Sequence, residues 1–433
     1  MRHWFKDEHM RSLLKNSSYL GASRIVAAIA AIATLALTGR ALGVAMFGLL
    51  ILIHSYAQAA SSLAKFQSWQ VIVRYGGQGL AAGRPEDFKV ATGFAFGLDI
   101  LSGIVGMAVA MALLPFIAGW FDIPPQYVLP AVLYCTVIPT MQGMTPGGVL
   151  RTLDRFDLVA WQGTTYPIAR MILAGIAYAA GAPFEIYLAI WWVTDLGGDL
   201  FLWWLAWREL RRQRMADAFR PTLKPHPLKG AWKFAIRVNL TASLIAAWGP
   251  VARLVVGGIL GPASAALYAI ASTIADSVQK PTDLLSRAFY PEVMRMDART
   301  KRPWKLMLRG AALAAMVGVA GLAVVALAGE PIIRLLFGAQ FTAAYPVLVV
   351  LMLAPFLIMI SFPLPPMLYA VHRDNGPLVA RVVGTILYFA IVAPMSLRFG
   401  VTGAAGAFVI GTATMVAILA FQVQREYRRT RTQ

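Results

Sequence analysis

Ionisable side chains lying inside long apolar runs are the residues of this sequence best placed to do chemistry. Arg170 sits among FDLVAWQGTTYPIARMILAGIAY, and Asp195 and Asp199 interrupt the next apolar run one helical turn apart. Arg253 follows Trp248-Gly249-Pro250; His54, Asp99, and Asp276 with Lys280 lie in three further runs. A charge in lipid costs several kcal/mol, so such groups pair with one another, line a wet cavity or serve a substrate. Arg170 lies twelve residues into its run, roughly 18 Å deep at 1.5 Å per residue, just after the kinking Pro167. It must face protein or water, and two readings stand: a structural pair with Asp195 at similar depth, or a substrate-binding cation. Arg253 stands near the far end of its run with no acid close in sequence, which favours a cavity-lining role. Arg24 either snorkels or faces a cavity, whereas Arg237 and Arg381, one turn from a run's end, are expected to snorkel. His54 and Asp99 are placed to relay protons or hold a coupling cation, as are Asp195 and Asp276. A satisfied polar packing role competes in each case, and Asp276 and Lys280 are spaced to neutralise each other.

The elements that must position these groups are membrane spans. Hydrophobic residues make up 58% of the 433 and charged residues 14%, against about 25% charged in a soluble protein. With apolar stretches recurring from Leu20 to Val423, lipid must be the solvent. Spans of about 20 residues are expected near 20–39, 43–64, 90–119, 127–150, 158–180 and 184–206, then near 234–256, 263–285, 308–329, 343–363, 378–398 and 402–423. The expected fold is therefore an all-α polytopic membrane protein of about twelve transmembrane helices in two six-helix lobes. The first lobe covers 1–206, a basic linker covers 207–233, and the second lobe with a basic tail covers 234–433.

The net charge of +19 does not point to nucleic acid, because the basic residues cluster in the short segments between runs. Starting with the amino terminus inside, the segments on that side carry 29 lysines and arginines, while the opposite turns carry only Arg40 and Arg334. Both termini are thus expected in the cytoplasm, and the amino terminus is expected to be a basic tail, not a cleaved leader. An even number of spans per lobe makes the lobes parallel repeats about an axis along the membrane normal. Leu42-Gly43 and Leu260-Gly261, each followed five and six positions after the glycine by a small residue and a leucine, occupy matching turns. The linker alone has eight basic residues against Glu209 and Asp217, with three prolines in its second half.

Prolines 130, 139 and 146 in the fourth run imply a broken helix whose freed carbonyls need partners. Trp203, Trp204 and Trp207 read as an interfacial belt, and Trp191 and Trp192 lie deeper. The lone Cys135 excludes a disulfide framework and a cysteine metal site. No Walker loop, dinucleotide fingerprint, HExxH or serine-hydrolase elbow is present, so no catalytic residue, metal ligand or cofactor is expected. The short far-side turns leave no loop to carry the catalytic groups of an extracytoplasmic glycan enzyme, which points to transport.

The segments Arg40-Ala41-Leu42-Gly43-Val44-Ala45-Met46-Phe47-Gly48-Leu49, Gly258-Ile259-Leu260-Gly261, 335–346 (LLFGAQFTAAYP) and 399–407 (FGVTGAAGA), within this layout, resemble the polysaccharide flippases of the MOP exporter superfamily, relatives of the MATE drug exporters. The likeness spans essentially the whole chain. It implies an alternating-access carrier that moves undecaprenyl-pyrophosphate-linked oligosaccharide units across a bacterial inner membrane for surface polysaccharide synthesis. It also implies that Arg170, Arg253 and Arg24 meet the pyrophosphate, since dry sites favour bidentate guanidinium–phosphate bonds. The partners implied are the lipid-linked oligosaccharide, membrane lipids, and polysaccharide polymerase and chain-length machinery. The alternatives are a cation-coupled multidrug exporter relying on Asp99, Asp195 and Asp276, and a membrane glycan polymerase or ligase.

Overall fold

A computed structural model describes residues 8–141, 143–246, 248–294, 296, 300–371, 373 and 375–432. Among them every regular element is a helix. α1 (Glu8–Ala64) carries the first two expected spans and is interrupted at Gly43, whose φ of 71° and ψ of 173° suit only glycine. Residues 65–89, expected as an ordinary loop, instead form α2 (Trp69–Val71), a five-residue π turn (Ile72–Gly76) and α3 (Gly77–Ala81). They fold because Val71, Ile72 and Phe88 are apolar enough to be fully buried. α4 (Pro85–Ile117) is the long third span, starting at a proline that suits a first turn.

The fourth run is broken as its prolines require, into α5 (Pro125–Tyr134), a 3₁₀ turn (Cys135–Val137) and α6 (Met144–Thr152). α7 (Phe156–Ala179) and α8 (Phe184–Arg212) follow as an antiparallel pair. The seventh run gives α9 (Ala231–Ala246) and α10 (Trp248–Leu260), and Gly261, at φ 82°, turns the chain into α11 (Pro262–Met294). α12 (Lys301–Phe337) is continuous. The tenth run, expected as one span, is cut into α13 (Ala344–Leu351), α14 (Leu353–Ser361) and α15 (Leu364–Ala370), in a stretch with prolines at 355, 363, 365 and 366. α16 (Gly376–Thr432) holds the last two spans, separated at Gly400 with φ 62°.

By contacts the chain divides into two units. One comprises residues 1–42 and 49–254, so it takes in the linker, α9 and part of α10. Its core joins Ile72, Phe88, Val149, Leu150, Leu205 and Leu210, and a second cluster packs Leu228, Ala231 and Ala235 on Val71, Phe94 and Leu98. The other comprises residues 43–48 and 255–433. It is centred on Phe289, Val293, Trp304, Met367, Leu368 and Leu419. Phe47 joins this second unit, its ring edge-on to Phe341 at 5.9 Å.

Among the described residues, five helical stretches, Ser23–Ala64, Pro85–Phe121, Arg302–Phe337, Ala344–Ala370 and Gly376–Arg429, are long and apolar enough to cross a membrane. Large apolar side chains on them face outward, with Phe116 86% and Leu327 84% exposed. Water would not tolerate so much exposed apolar surface, whereas lipid does.

Candidate functional site

Arg170 projects from α7 toward α8, which presents Trp191, Thr194, Asp195 and Gly198 on one stripe at three- and four-residue spacing. Gly198 admits the neighbouring helix: a β-carbon there would lie 2.8 Å from the Cβ of Tyr166. The Arg170 guanidinium donates from Nη2 to Asp195 Oδ1 and from Nε to Thr194 Oγ1 at 2.7 Å. Nη2 also reaches the carbonyl of Trp191 at 3.4 Å. The charge lies over the rings of Trp191 at 4.9 Å and Tyr166 at 5.8 Å. Both side chains of the Arg170–Asp195 pair are only 11% exposed.

The other oxygen of Asp195 is bound as well. Tyr134, at the end of α5, donates its hydroxyl to Asp195 Oδ2 at 2.6 Å. His54, from α1, places Nδ1 2.9 Å from that hydroxyl and 3.3 Å from Asp195 Oδ2, with its ring edge-on to Trp191 at 4.8 Å. Four helices thus meet on one carboxylate. Arg253 on α10 is half-buried, reaches Gln58 Oε1 at 3.5 Å and lies within electrostatic range of His54. Arg170, Asp195, His54 and Arg253, scattered over 200 residues of sequence, are therefore neighbours in one unit.

A second buried group surrounds Asp99, which is 2% exposed. Its Oδ1 accepts from Ser68 at 2.6 Å, and its Oδ2 accepts the backbone N–H of Thr145, in the first turn of α6, at 2.9 Å. Lys65, also 2% exposed, donates to the carbonyls of Pro139 at 2.9 Å and Met141 at 2.6 Å. Asp99 and Asp199 both act electrostatically on that ammonium. The carbonyls freed by the break in the fourth run are thus satisfied by a lysine, and the new helix start by an aspartate. Lys65, one of the basic residues between the second and third expected spans, is thus buried in the protein and not solvated in a loop.

The remaining candidates lie apart. Arg24 is exposed on α1, and Asp276 is exposed on α11 in the other unit. The side chains of Arg237 and Lys280 fall outside the described residues. Tyr134, Thr194 and Lys65 are the neighbours of these candidates that charge patterning missed. The demand of the proline-broken run for carbonyl donors was the one sequence signal that could have raised Lys65.

At the start of α7, Arg155 binds Asp157 at 3.0 and 2.9 Å and Glu209 at 2.5 Å. The Arg155 hydrogen bond holds the Asp157 carboxyl below the usual carboxylate range.

A sequence profile of the family described as "Polysaccharide biosynthesis protein" matches residues 84–346. The Inner membrane protein YghQ of Escherichia coli is 39% identical over 347 residues, which cover 80% of this chain and 98% of YghQ. An inward-facing multidrug resistance MATE family transporter of the MOP superfamily superposes with a TM-score of 0.73 at 14% identity, over 94% of this chain and 95% of its own. The inward closed lipid II flippase MurJ gives 0.65 at 14% identity, over 95% of this chain and 87% of its own. The helical fold is thus the one shared by these exporters, as the sequence motifs anticipated. The extent of the profile match and the identity to YghQ together show that this chain belongs to the polysaccharide biosynthesis protein family.

Proposed function

We propose that the protein is a flippase, an alternating-access carrier that moves undecaprenyl-pyrophosphate-linked oligosaccharide units across the bacterial inner membrane for surface polysaccharide synthesis. Family membership and a fold like that of a lipid II flippase support the transport of a lipid-linked glycan. The observation that carries the reading is the deep Arg170, matched by the single carboxylate of Asp195, with Arg253 close by. A pyrophosphate offers the acceptor geometry that Asp195 now supplies, so it can replace that carboxylate on the guanidinium without leaving it bare. Tyr134 and His54 then hold the displaced Asp195. The reading includes both termini in the cytoplasm, lobes at 1–206 and 234–433 joined by the basic 207–233 segment, and transport without covalent chemistry.

The rival drug-exporter reading has one favouring observation, the good superposition on a MATE transporter. It needs acids open to a cationic substrate, yet Asp195 and Asp99 each have both oxygens engaged by the protein. Proteoliposomes containing the full chain and a fluorescent lipid-linked oligosaccharide test the proposal. Leaflet exchange should be present in the wild type and lost in Arg170→Ala with Arg253→Ala. Absence of exchange in the wild type, with ion-driven efflux of cationic drugs abolished by Asp195→Asn, would replace the flippase with the exporter. Lengthening of the glycan would establish an enzyme.

A further inference from the structure

Every lysine and arginine between Trp207 and Lys233 is exposed, and the two acids of that segment are engaged by cations from outside it. Glu209 is bound by Arg155 at 2.5 Å and Asp217 by Lys89 at 3.0 Å. The segment therefore presents more positive charge than its composition suggests.

It is also fixed in place. The N–H of Thr222 donates to the carbonyl of Gly93 on α4 at 3.0 Å. This approach requires glycine: a β-carbon on Gly93 would lie 2.5 Å from the Arg220 carbonyl oxygen, and one on Gly97 2.4 Å from that of Thr222. Trp232 Nε1 donates to the Leu223 carbonyl at 3.1 Å, and Leu228 and Ala231 are buried against Val71 and Phe94. The backbone that carries Arg220, Lys224 and Lys229 is thus held in place, so little backbone ordering is left to lose on binding.

One face of α8 leads to them from the apolar region. Val193, Leu200, Trp204, Trp207 and Arg211 follow one another at helical spacing, and all are exposed. Arg208 lies over the Trp204 ring at 5.5 Å and Arg211 over that of Trp207 at 5.3 Å. Further along the segment, Lys224, His226 and Lys229 rim a shallow depression of about 270 Å³. Apolar, aromatic and cationic surface follow in the order in which a phospholipid presents acyl chain, glycerol and phosphate. A soluble anion would use only the last of these.

We propose that the 207–233 segment, with the outer face of α8, is a binding surface for the headgroups of anionic phospholipids. This does not depend on what the protein transports.

Reconstitution of the full chain into mixed vesicles with spin-labelled phosphatidylglycerol or phosphatidylcholine tests it. The wild type should immobilise phosphatidylglycerol several-fold more than phosphatidylcholine at low salt, with the preference shrinking as salt rises. Joint replacement Arg208→Gln, Arg211→Gln, Lys224→Gln and Lys229→Gln should bring the ratio close to one. The total of immobilised lipid, which reports the folded helical perimeter, should stay the same. Arg208→Lys with Arg211→Lys should keep the preference. Equal immobilisation of both lipids by the wild type, or a ratio insensitive to salt, would overturn the proposal even if the glutamine variant failed to fold. Loss of the preference on adding millimolar glycerol phosphate would assign the surface to soluble anions and overturn it too.

Discussion

The Lys65 ammonium, one residue past the end of α1, donates to the carbonyl of Met141 at 2.6 Å and closes the gap between α5 and α6. The same ammonium takes the Pro139 carbonyl at 2.9 Å, so one side chain satisfies two acceptors that a regular helix would have bonded internally.

Lys65→Met should therefore destabilise the protein by about 2–4 kcal/mol, from buried acceptors left bare and an Asp99 charge left without its counter-ion. Thermal unfolding in detergent reads this. Addition of Asp99→Asn should recover part of the loss, and a double-mutant cycle showing no coupling would rule out the clamp.

The Arg170–Asp195 pair is buried, so removing one partner should cost about 3–5 kcal/mol, and removing both should cost less than the sum of the two. Arg170→Lys should keep the charge but lose the fork that holds Asp195 and Thr194 together, lowering transport more than stability. Comparison of melting temperature with leaflet-exchange rate across Arg170→Ala, Asp195→Ala, the double variant and Arg170→Lys checks both statements.

How far the sequence disclosed this site follows from what each residue contributes. Arg170 and Asp195 were visible because charge in an apolar run is rare, and the depth argument put them level. Three prolines announced the break in the fourth run. Tyr134 was invisible, since tyrosine is at home in any span and only the fold brings its hydroxyl to Asp195. Lys65 was misplaced because counting basic residues in loops treats a lysine beside an apolar run as solvated. The three pieces α13, α14 and α15 went unforeseen although prolines crowd the same stretch, because the run stays apolar throughout. Arg253 beside His54 is a purely tertiary fact.

Gly43 takes a backbone conformation at φ 71° and ψ 173° that is closed to other residues, although a β-carbon there would meet only Gln340 Oε1, at 3.9 Å. Gly43→Ala should therefore cost about 1–3 kcal/mol through backbone strain alone, without a packing penalty. Thermal unfolding should show that loss, and larger residues should add little to it.

Asp157 supplies a pH dependence with a definite sign. Its folded pKa is depressed, chiefly by the hydrogen bond from Arg155, so the stability it contributes is complete above the ordinary carboxylate range. That stability is lost as pH falls through the lower folded value. Its side chain is 45% exposed, so solvent screens the pair and the effect should stay below about 1 kcal/mol. The difference in melting temperature between neutral and acidic buffer should shrink in Asp157→Asn.

Topology is open to a simple labelling test, because Cys135 is the sole cysteine and is buried. In a Cys135→Ser background, Arg425→Cys should react with a membrane-impermeant thiol reagent only after the inner face is opened. Labelling of intact cells would reverse the orientation.

Residues 43–48 come early in the chain yet pack with the second unit, where Phe47 meets Phe341. A protease cut in the 207–233 segment would consequently not yield two self-sufficient halves. The carboxy-terminal fragment would lack an aromatic plug that its own sequence cannot encode. Co-expressed halves should then depend on each other for survival in the membrane, and the ribosome must deliver that plug long before its socket exists.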